Sequence, residues 1–388
     1  MDYKTAVVKQ KWESIIISPI VKLGKMYGLI APLRNPTSTF LFFPSADLGG
    51  SVKVNADIAG CIKNKKPLII FSKKPKNNGF KKLFLGFDVV DLHRKIDNKL
   101  YHFVNIFYRG VLATWINKSG NAVVFGGECL YFYKILPHLK KSVRRVELCH
   151  LDTWFPYSIG FIDLITERIF STLKLKEKVT ALYDQQNVDQ KFYGHLHFIE
   201  NKIDIPPFKE THNKNLEVIF VGRGSPQKRV HLIAAIAKKM HDKNYPVHFS
   251  FIGNVENEIS INDFPYCEFY GNVADEEKLN SIYQDADVLI LTSSYEGLPI
   301  VVMQMMAYGK VVLSTAVNAI PDYVAHMQNG LLINATDENE IVDEGVSLLT
   351  LLVEDPSLKV ELGKKSREIA RQKFDGQLFC EQYNKLLI

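Results

Sequence analysis

Two blocks between Val218 and Val311 set the tightest limit on what this chain can fold into. Val218-Ile219-Phe220-Val221 is an apolar run that stops at Gly222-Arg223-Gly224-Ser225-Pro226-Gln227-Lys228. Further on, Val288–Leu291 is another apolar run. It leads into Ser293-Ser294-Tyr295-Glu296-Gly297-Leu298-Pro299 and then a helical stretch, Ile300 to Tyr308. A short apolar strand, a polar turn and a helix, used repeatedly, is the pattern of a parallel α/β sheet. Such open sheets hold ligands at the carboxyl ends of their strands. Arg223, Lys228 and Glu296 all fall at such ends.

The same alternation runs through the whole chain. In the first half the expected strands are Thr39–Phe43, Pro67–Phe71, Ala122–Phe125, Arg145–Cys149, Arg168–Ser171 and His197–Ile199. In the second they are Glu217–Val221, Val247–Ile252, Glu268–Tyr270, Val288–Leu291, Val311–Ser314 and Gly330–Ile333. Ile203–Thr211, with Pro206 and Pro207, reads as a linker. A chain of 388 residues suits two domains. The expected division is 1–205 and 206–370, with a terminal helix at about 371–388 packing back on the first domain.

The first thirty residues carry an apolar stripe at helical spacing: Trp12, Ile16, Ile20, Leu23, Tyr27 and Ile30. Lys9, Lys11, Lys22 and Lys25 lie among them. Pro19 interrupts the pattern, so one helix or two are both open. The stripe either packs on the protein's own core or lies on an interface.

Charge divides the chain. Residues 1–205 hold 31 lysines and arginines against 17 carboxylates, and residues 206–388 hold 17 against 25. An asymmetry of this size points to an acidic partner for the first half: an anionic membrane face, an acidic glycan or lipid, or nucleic acid. The five cysteines are scattered, and none forms a C-x-x-C pair. Neither a zinc site nor a disulfide framework is expected, and a reducing compartment suits such a chain. No signal peptide is expected, and no apolar run approaches the ~20 residues that span a bilayer.

The residue types at the strand ends suggest one ligand chemistry. Arg223 offers a forked, always-charged donor set and Lys228 a mobile point charge, which together suit a diphosphate. Backbone N–H groups at the next helix start add to an anion site. Glu296 can accept hydrogen bonds from sugar hydroxyls and oppose positive charge at an anomeric carbon. The backbone of Gly297, Leu298, Pro299 and Ile300 would face the sugar or phosphate. Gln304, one turn further, can bond ribose hydroxyls. Gly49 and Gly50 form a second turn that allows close backbone approach. His150, followed by Asp152, ends a strand and suits a sugar-hydroxyl contact or a proton relay. Asp285-Ala286-Asp287 has the form of a metal-binding triplet, but its place before a strand makes Asp287 a strand-entry residue. Together these groups describe a site for a sugar nucleotide.

The ordered set of motifs resembles glycosyltransferase family 4, the retaining group with the GT-B fold, also described as glycosyl transferases group 1. The matching elements are Leu48-Gly49-Gly50, Ile199 to Asp204, Val221 to Lys228, Gly271-Asn272-Val273, Ala286-Asp287-Val288, Ser293 to Pro299, and Ala307 to Val312. The resemblance implies two Rossmann-like, doubly wound domains facing each other across a cleft. It implies that Arg223 and Lys228 hold the diphosphate, that Glu296 contacts the donor sugar, and that Asn272 lines the donor site. The family's second acid is replaced here by Gln304.

The activity so implied is metal-independent, retaining transfer of a hexose-type sugar from a nucleotide-diphosphate sugar, with uridine favoured. The acceptor would be a glycan or lipid-linked molecule of bacterial surface polysaccharide or lipopolysaccharide synthesis. The catalytic set would be Glu296, His150, Arg223 and Lys228, with no cofactor beyond the donor. The protein would sit in the cytoplasm against the inner face of the plasma membrane. A non-catalytic sugar-nucleotide or glycan-binding protein, and a sugar-nucleotide epimerase of the same fold, are the alternatives.

Overall fold

The computed structural model describes residues 2–97, 102–151, 154–211 and 213–388. It divides into two compact units, Met1–Asn201 with Gln377–Ile388, and Lys202–Gly376.

The first unit is built on seven parallel strands: β1 (Thr39–Phe43), β2 (Leu68–Phe71), β3 (Asp88–Asp91), β4 (Val123–Gly126), β5 (Arg144–Cys149), β6 (Glu167–Phe170) and β7 (Leu196–Phe198). Their spatial order is β3-β2-β1-β4-β5-β6-β7. All five residues of β1 are buried. A strand covered on both faces reads as a continuous apolar run, which is why Thr39–Phe43 is legible. β3 was not anticipated. It is an edge strand, Asp88-Val89-Val90-Asp91, mostly exposed, and two apolar residues between two acids give no strand signal.

Two helices precede β1. α1 (Tyr3–Ile16) is capped by Asp2, whose carboxylate accepts from the Thr5 N–H at 3.0 Å. α2 (Ser18–Ile30) has Pro19 in its first turn, where the missing N–H would be unpaired anyway. Pro19 therefore separates two helices. The other helices of this unit are α3 (Gly50–Cys61), α4 (His93–Ile96), α5 (His102–Lys118), α6 (Leu130–Ile135), α7 (Phe155–Ser158) and α8 (Leu173–Gln185). Beneath them, Glu147 on β5 and Arg168 on β6 form a buried ion pair. Tyr133 donates to Glu147 at 2.6 Å, and Arg168 donates to the Tyr183 hydroxyl at 2.7 Å. Every charge taken out of water there has partners.

The second unit carries six parallel strands: β8 (Leu216–Val221), β9 (Val247–Ile252), β10 (Glu268–Gly271), β11 (Val288–Leu291), β12 (Val311–Thr315) and β13 (Leu331–Ile333), in the order β10-β9-β8-β11-β12-β13. Its helices are α9 (Val230–Asp242), α10 (Glu276–Asp285), α11 (Ile300–Ala307), α12 (Glu338–Glu354) and α13 (Pro356–Lys373). Asp287 enters β11 buried. Lys359 (2.8 Å), Thr211 (2.6 Å) and the Glu217 N–H (3.1 Å) donate to it. Burial pushes its carboxyl up, but these donors outweigh burial and hold it below the usual range. Its role is structural.

The terminal helix expected at about 371–388 begins later: α13 ends before Phe374, and α14 (Gly376–Leu387) groups with the first unit, as expected. Tyr383 sets its ring edge-on to Phe125, and Arg144 donates to the Leu386 carbonyl at 3.0 Å. Cys380 of α14 forms a disulfide with Cys61, the last residue of α3. This corrects the expectation of no disulfide. The two cysteines lie 319 residues apart, so spacing carries no trace of the pairing.

Candidate active site

β8 and β11 are neighbours at the middle of the second sheet. From β8 the chain moves outward to β9 and β10, and from β11 it moves the other way to β12 and β13. That reversal is the switch point where an open sheet leaves a crevice. The loop after β8 (222–229) and the loop after β11 (292–299) both rise from it.

The two loops are stitched together. The Ser294 N–H donates to the Gln227 carbonyl at 2.8 Å, and the Gln227 side chain donates to the Tyr295 carbonyl at 2.9 Å. Arg229 sits in the left-handed region at φ +45, a costly place for a residue with a side chain. Its guanidinium donates to the carbonyls of Thr292 (2.7 Å) and Ser293 (3.1 Å). The Thr292 hydroxyl donates back to the Arg229 carbonyl at 2.9 Å. These bonds fix the geometry of the residue just before α9.

Within this frame Lys228 pairs directly with Glu296. Glu296 is buried, and its carboxylate also accepts from the Ser293 hydroxyl at 2.6 Å. Arg223, five residues earlier, is exposed and has no hydrogen-bond or ion-pair partner among the described residues. The Ser225 hydroxyl between them is buried without a partner among the described residues. So one loop offers a free guanidinium, an ammonium already facing a carboxylate, and an unsatisfied hydroxyl. Such a set can take an anion at one end and hydroxyl donors at the other.

α11 starts at Ile300, directly after Pro299. Val301, Val302, Met303, Met305, Met306 and Ala307 are buried, while Ile300 and Gln304 are only partly covered. Residues four apart share a helix face, so Gln304 is presented on the same side as the helix start. Leu298 is buried and anchors the Gly297–Pro299 turn. Asn272 is a different case. It follows the edge strand β10, two strands from β8 and about 10 Å away by the usual strand spacing.

Gly49, Gly50 and His150 belong to the first unit. Its own switch point lies between β1 and β4. Gly49, in the turn after β1, has extended backbone that any residue can adopt, and a Cβ there would meet nothing within 4 Å. The glycine thus leaves open ground, and no special dihedral requires it. Asp47 fastens this turn by accepting N–H bonds from Lys76 (2.8 Å), Asn77 (2.9 Å) and Asn78 (3.1 Å) in the basic loop after β2. His150 ends β5. Glu128, at φ +50, accepts the N–H groups of His150 and Leu151 at 3.0 Å each. The His150 Nε2 is buried without a partner among the described residues, and burial lowers its pKa, so the ring is neutral at physiological pH. Asp152 lies outside the described residues.

The sequence reading named Arg223, Lys228, Glu296 and Gln304 but gave no role to Ser293, Arg229, Ser225, Asp47 or Glu128. Ser293 opens the motif that ends at Pro299, so its place three residues before Glu296 was a usable signal. Arg229 and Glu128 act through backbone bonds to other loops, which no local pattern discloses.

Two units, each a parallel sheet with helices, are the architecture of the GT-B fold. HepE of Anabaena, in complex with UDP and glucose, has this fold and superposes with a TM-score of 0.69 at 16% identity, covering 90% of this chain and 98% of that one. Residues 215–350 match the family model described as Glycosyl transferases group 1. The capsular polysaccharide biosynthesis glycosyltransferase CapM of Staphylococcus aureus is 24% identical over 224 residues, 56% of this chain and 57% of that protein. The N,N'-diacetylbacillosaminyl-diphospho-undecaprenol alpha-1,3-N-acetylgalactosaminyltransferase of Campylobacter jejuni subsp. jejuni serotype O:2 is 21% identical over 250 residues, 62% of each chain. The chain thus spans less than two thirds of the length of these two relatives.

Proposed function

We propose that this chain is a retaining glycosyltransferase of family 4 that needs no metal. It moves a hexose-type sugar from a nucleotide-diphosphate sugar, with uridine favoured, to a glycan or lipid-linked acceptor of a bacterial surface polysaccharide. The carrying observation is the Lys228–Glu296 pair with the unpaired Arg223 guanidinium on the same loop, at the switch point of the second sheet. The complex of HepE with UDP and glucose supports a uridine donor. The lipid-diphosphate substrate in the Campylobacter transferase's name, and CapM's capsular role, support the acceptor class.

In this reading the bond between the anomeric carbon and the diphosphate oxygen breaks, and a bond from an acceptor hydroxyl oxygen forms on the same face. The departing diphosphate takes up the acceptor's proton. Arg223 and Lys228 neutralise the charge that grows on that diphosphate, which lowers the barrier most. Two fixed cations supply what a divalent ion supplies elsewhere. Glu296, held by Lys228 and Ser293, accepts sugar hydroxyls and opposes positive charge at the anomeric carbon. Gln304 bonds the ribose. The basic first unit binds the acceptor, with neutral His150 offered to a sugar hydroxyl. The enzyme works at the cytoplasmic face of the membrane that carries a lipid-linked acceptor.

The test is release of nucleoside diphosphate from a panel of uridine, guanosine and adenosine diphospho-sugars, with membrane extract as acceptor and a chelator present. Turnover with at least one donor is expected. Silence across all three bases would remove the enzymatic reading.

A further inference from the structure

The helices that precede β1 are built inside out. In α2 the residues turned inward are Val21, Gly24 and Gly28. They lie against α5 so closely that a Cβ on Gly24 would sit 1.9 Å from the Phe107 carbonyl oxygen, and one on Gly110 would sit 2.1 Å from that of Val21. The large side chains of the same helix face out: Leu23, Met26, Leu29 and Ile30, the last 82% exposed. α1 behaves alike. It buries Ala6 and Val7, and leaves Trp12 at 62% and Ile16 at 72% exposure.

A helix in water does the reverse, with its large apolar side chains inward. Small residues at the helix contact and large apolar ones outward is the arrangement helices adopt when the surrounding medium is lipid. Nine of the nineteen exposed large hydrophobic side chains among the described residues lie on these two helices, so this is a patch and not surface scatter. Of the stripe anticipated from sequence, Trp12, Ile16, Leu23, Tyr27 and Ile30 are exposed and Ile20 is partly covered.

The surrounding charge says what covers the patch. Lys4, Lys9, Lys11 and Lys22 are exposed on the same two helices. The acids there are already engaged: Glu13 pairs with Lys134 at 2.5 Å and with Arg109 at 3.4 Å, and Asp2 caps α1. A second copy would bring the same lysines against these and be repelled. No described helix is long and apolar enough to cross a membrane. Lysines bordering Trp, Leu and Ile on short helices suit a position in the interface plane.

We propose that α1 and α2 dock the protein on an anionic lipid bilayer, with the apolar side chains entering the acyl boundary and the lysines lying among the headgroups. This deepens the membrane placement proposed above but is independent of the transfer chemistry. The test is flotation of the full chain with vesicles of phosphatidylglycerol and phosphatidylethanolamine, beside phosphatidylcholine alone, with nucleoside diphosphate release measured on the same preparations. Expected is binding to the anionic vesicles only, falling about tenfold between ~0.1 M and ~0.5 M salt. A blue shift of tryptophan emission should accompany it and be lost in Trp12→Phe. The double variant Leu23→Ser with Ile30→Ser should bind about a hundredfold more weakly, with its melting temperature and donor turnover unchanged. Equal binding to neutral vesicles, or none to either, would overturn the proposal. So would a concentration-dependent dimer that the double variant dissolves.

Discussion

The two sheets share a topology, each reversing direction between its first strand and its fourth. They furnish that point differently. In the second unit, between β8 and β11, charged side chains meet across two loops, and Lys228 is already paired with Glu296. In the first, between β1 and β4, the turn at Gly49 leaves open ground and is fastened by Asp47 to a lysine-rich loop. One end carries a prearranged charged cluster. The other is an anchored, basic, open surface. The proposed function would account for the difference. A diphosphate sugar has a fixed shape and charge, so its site can be specified residue by residue, whereas an extended acceptor needs room.

The sharpest way to break this contrast is Lys228→Ala. It should lower turnover about a hundredfold to a thousandfold, as loss of a transition-state donor does. It should also cost about 3 kcal/mol of stability, because the buried Glu296 loses its partner, and melting read beside kinetics would show both effects. Arg223→Ala sharpens the comparison, since Arg223 is exposed and unpaired. Turnover should fall about a hundredfold with no change in melting temperature, and an equal loss of stability would show that Arg223 is structural.

The first unit should respond to acid. His138 is buried with an unpaired Nε2, and burial lowers its pKa to about 4. The unfolded chain therefore binds the extra proton first as pH falls. Stability is full above about pH 6.5 and declines toward pH 4, by about 3 kcal/mol at most. Chemical denaturation at stepped pH reads this, and His138→Gln should flatten the curve. The smallest effect is expected from Gln304→Glu, a drop in donor KM of about threefold with kcat unchanged. A silent parent that gains turnover on this change would instead favour a non-catalytic protein.

What was legible in the sequence follows the same division. β1, β8, β11 and the loops after them are fixed by local patterns: buried apolar runs, then glycine, cation or carboxylate at set offsets. What was not legible acts across the chain. β3 is an exposed edge between two acids. The Cys61–Cys380 pairing depends on tertiary contact. The stripe from Trp12 to Ile30 was visible, but which way it faced depended on Gly24, Gly28 and Gly110 meeting closely. The backbone bonds of Arg229 and Glu128 leave no pattern at all.

The most direct measurement is a crystal structure of the full chain grown with UDP in the presence of a chelator. The diphosphate is expected within about 3.2 Å of the Arg223 guanidinium and the Lys228 ammonium, with the ribose toward Gln304. A diphosphate bound instead at the lysine-rich loop beside Asp47, with Lys228 and Glu296 untouched, would contradict the assignment.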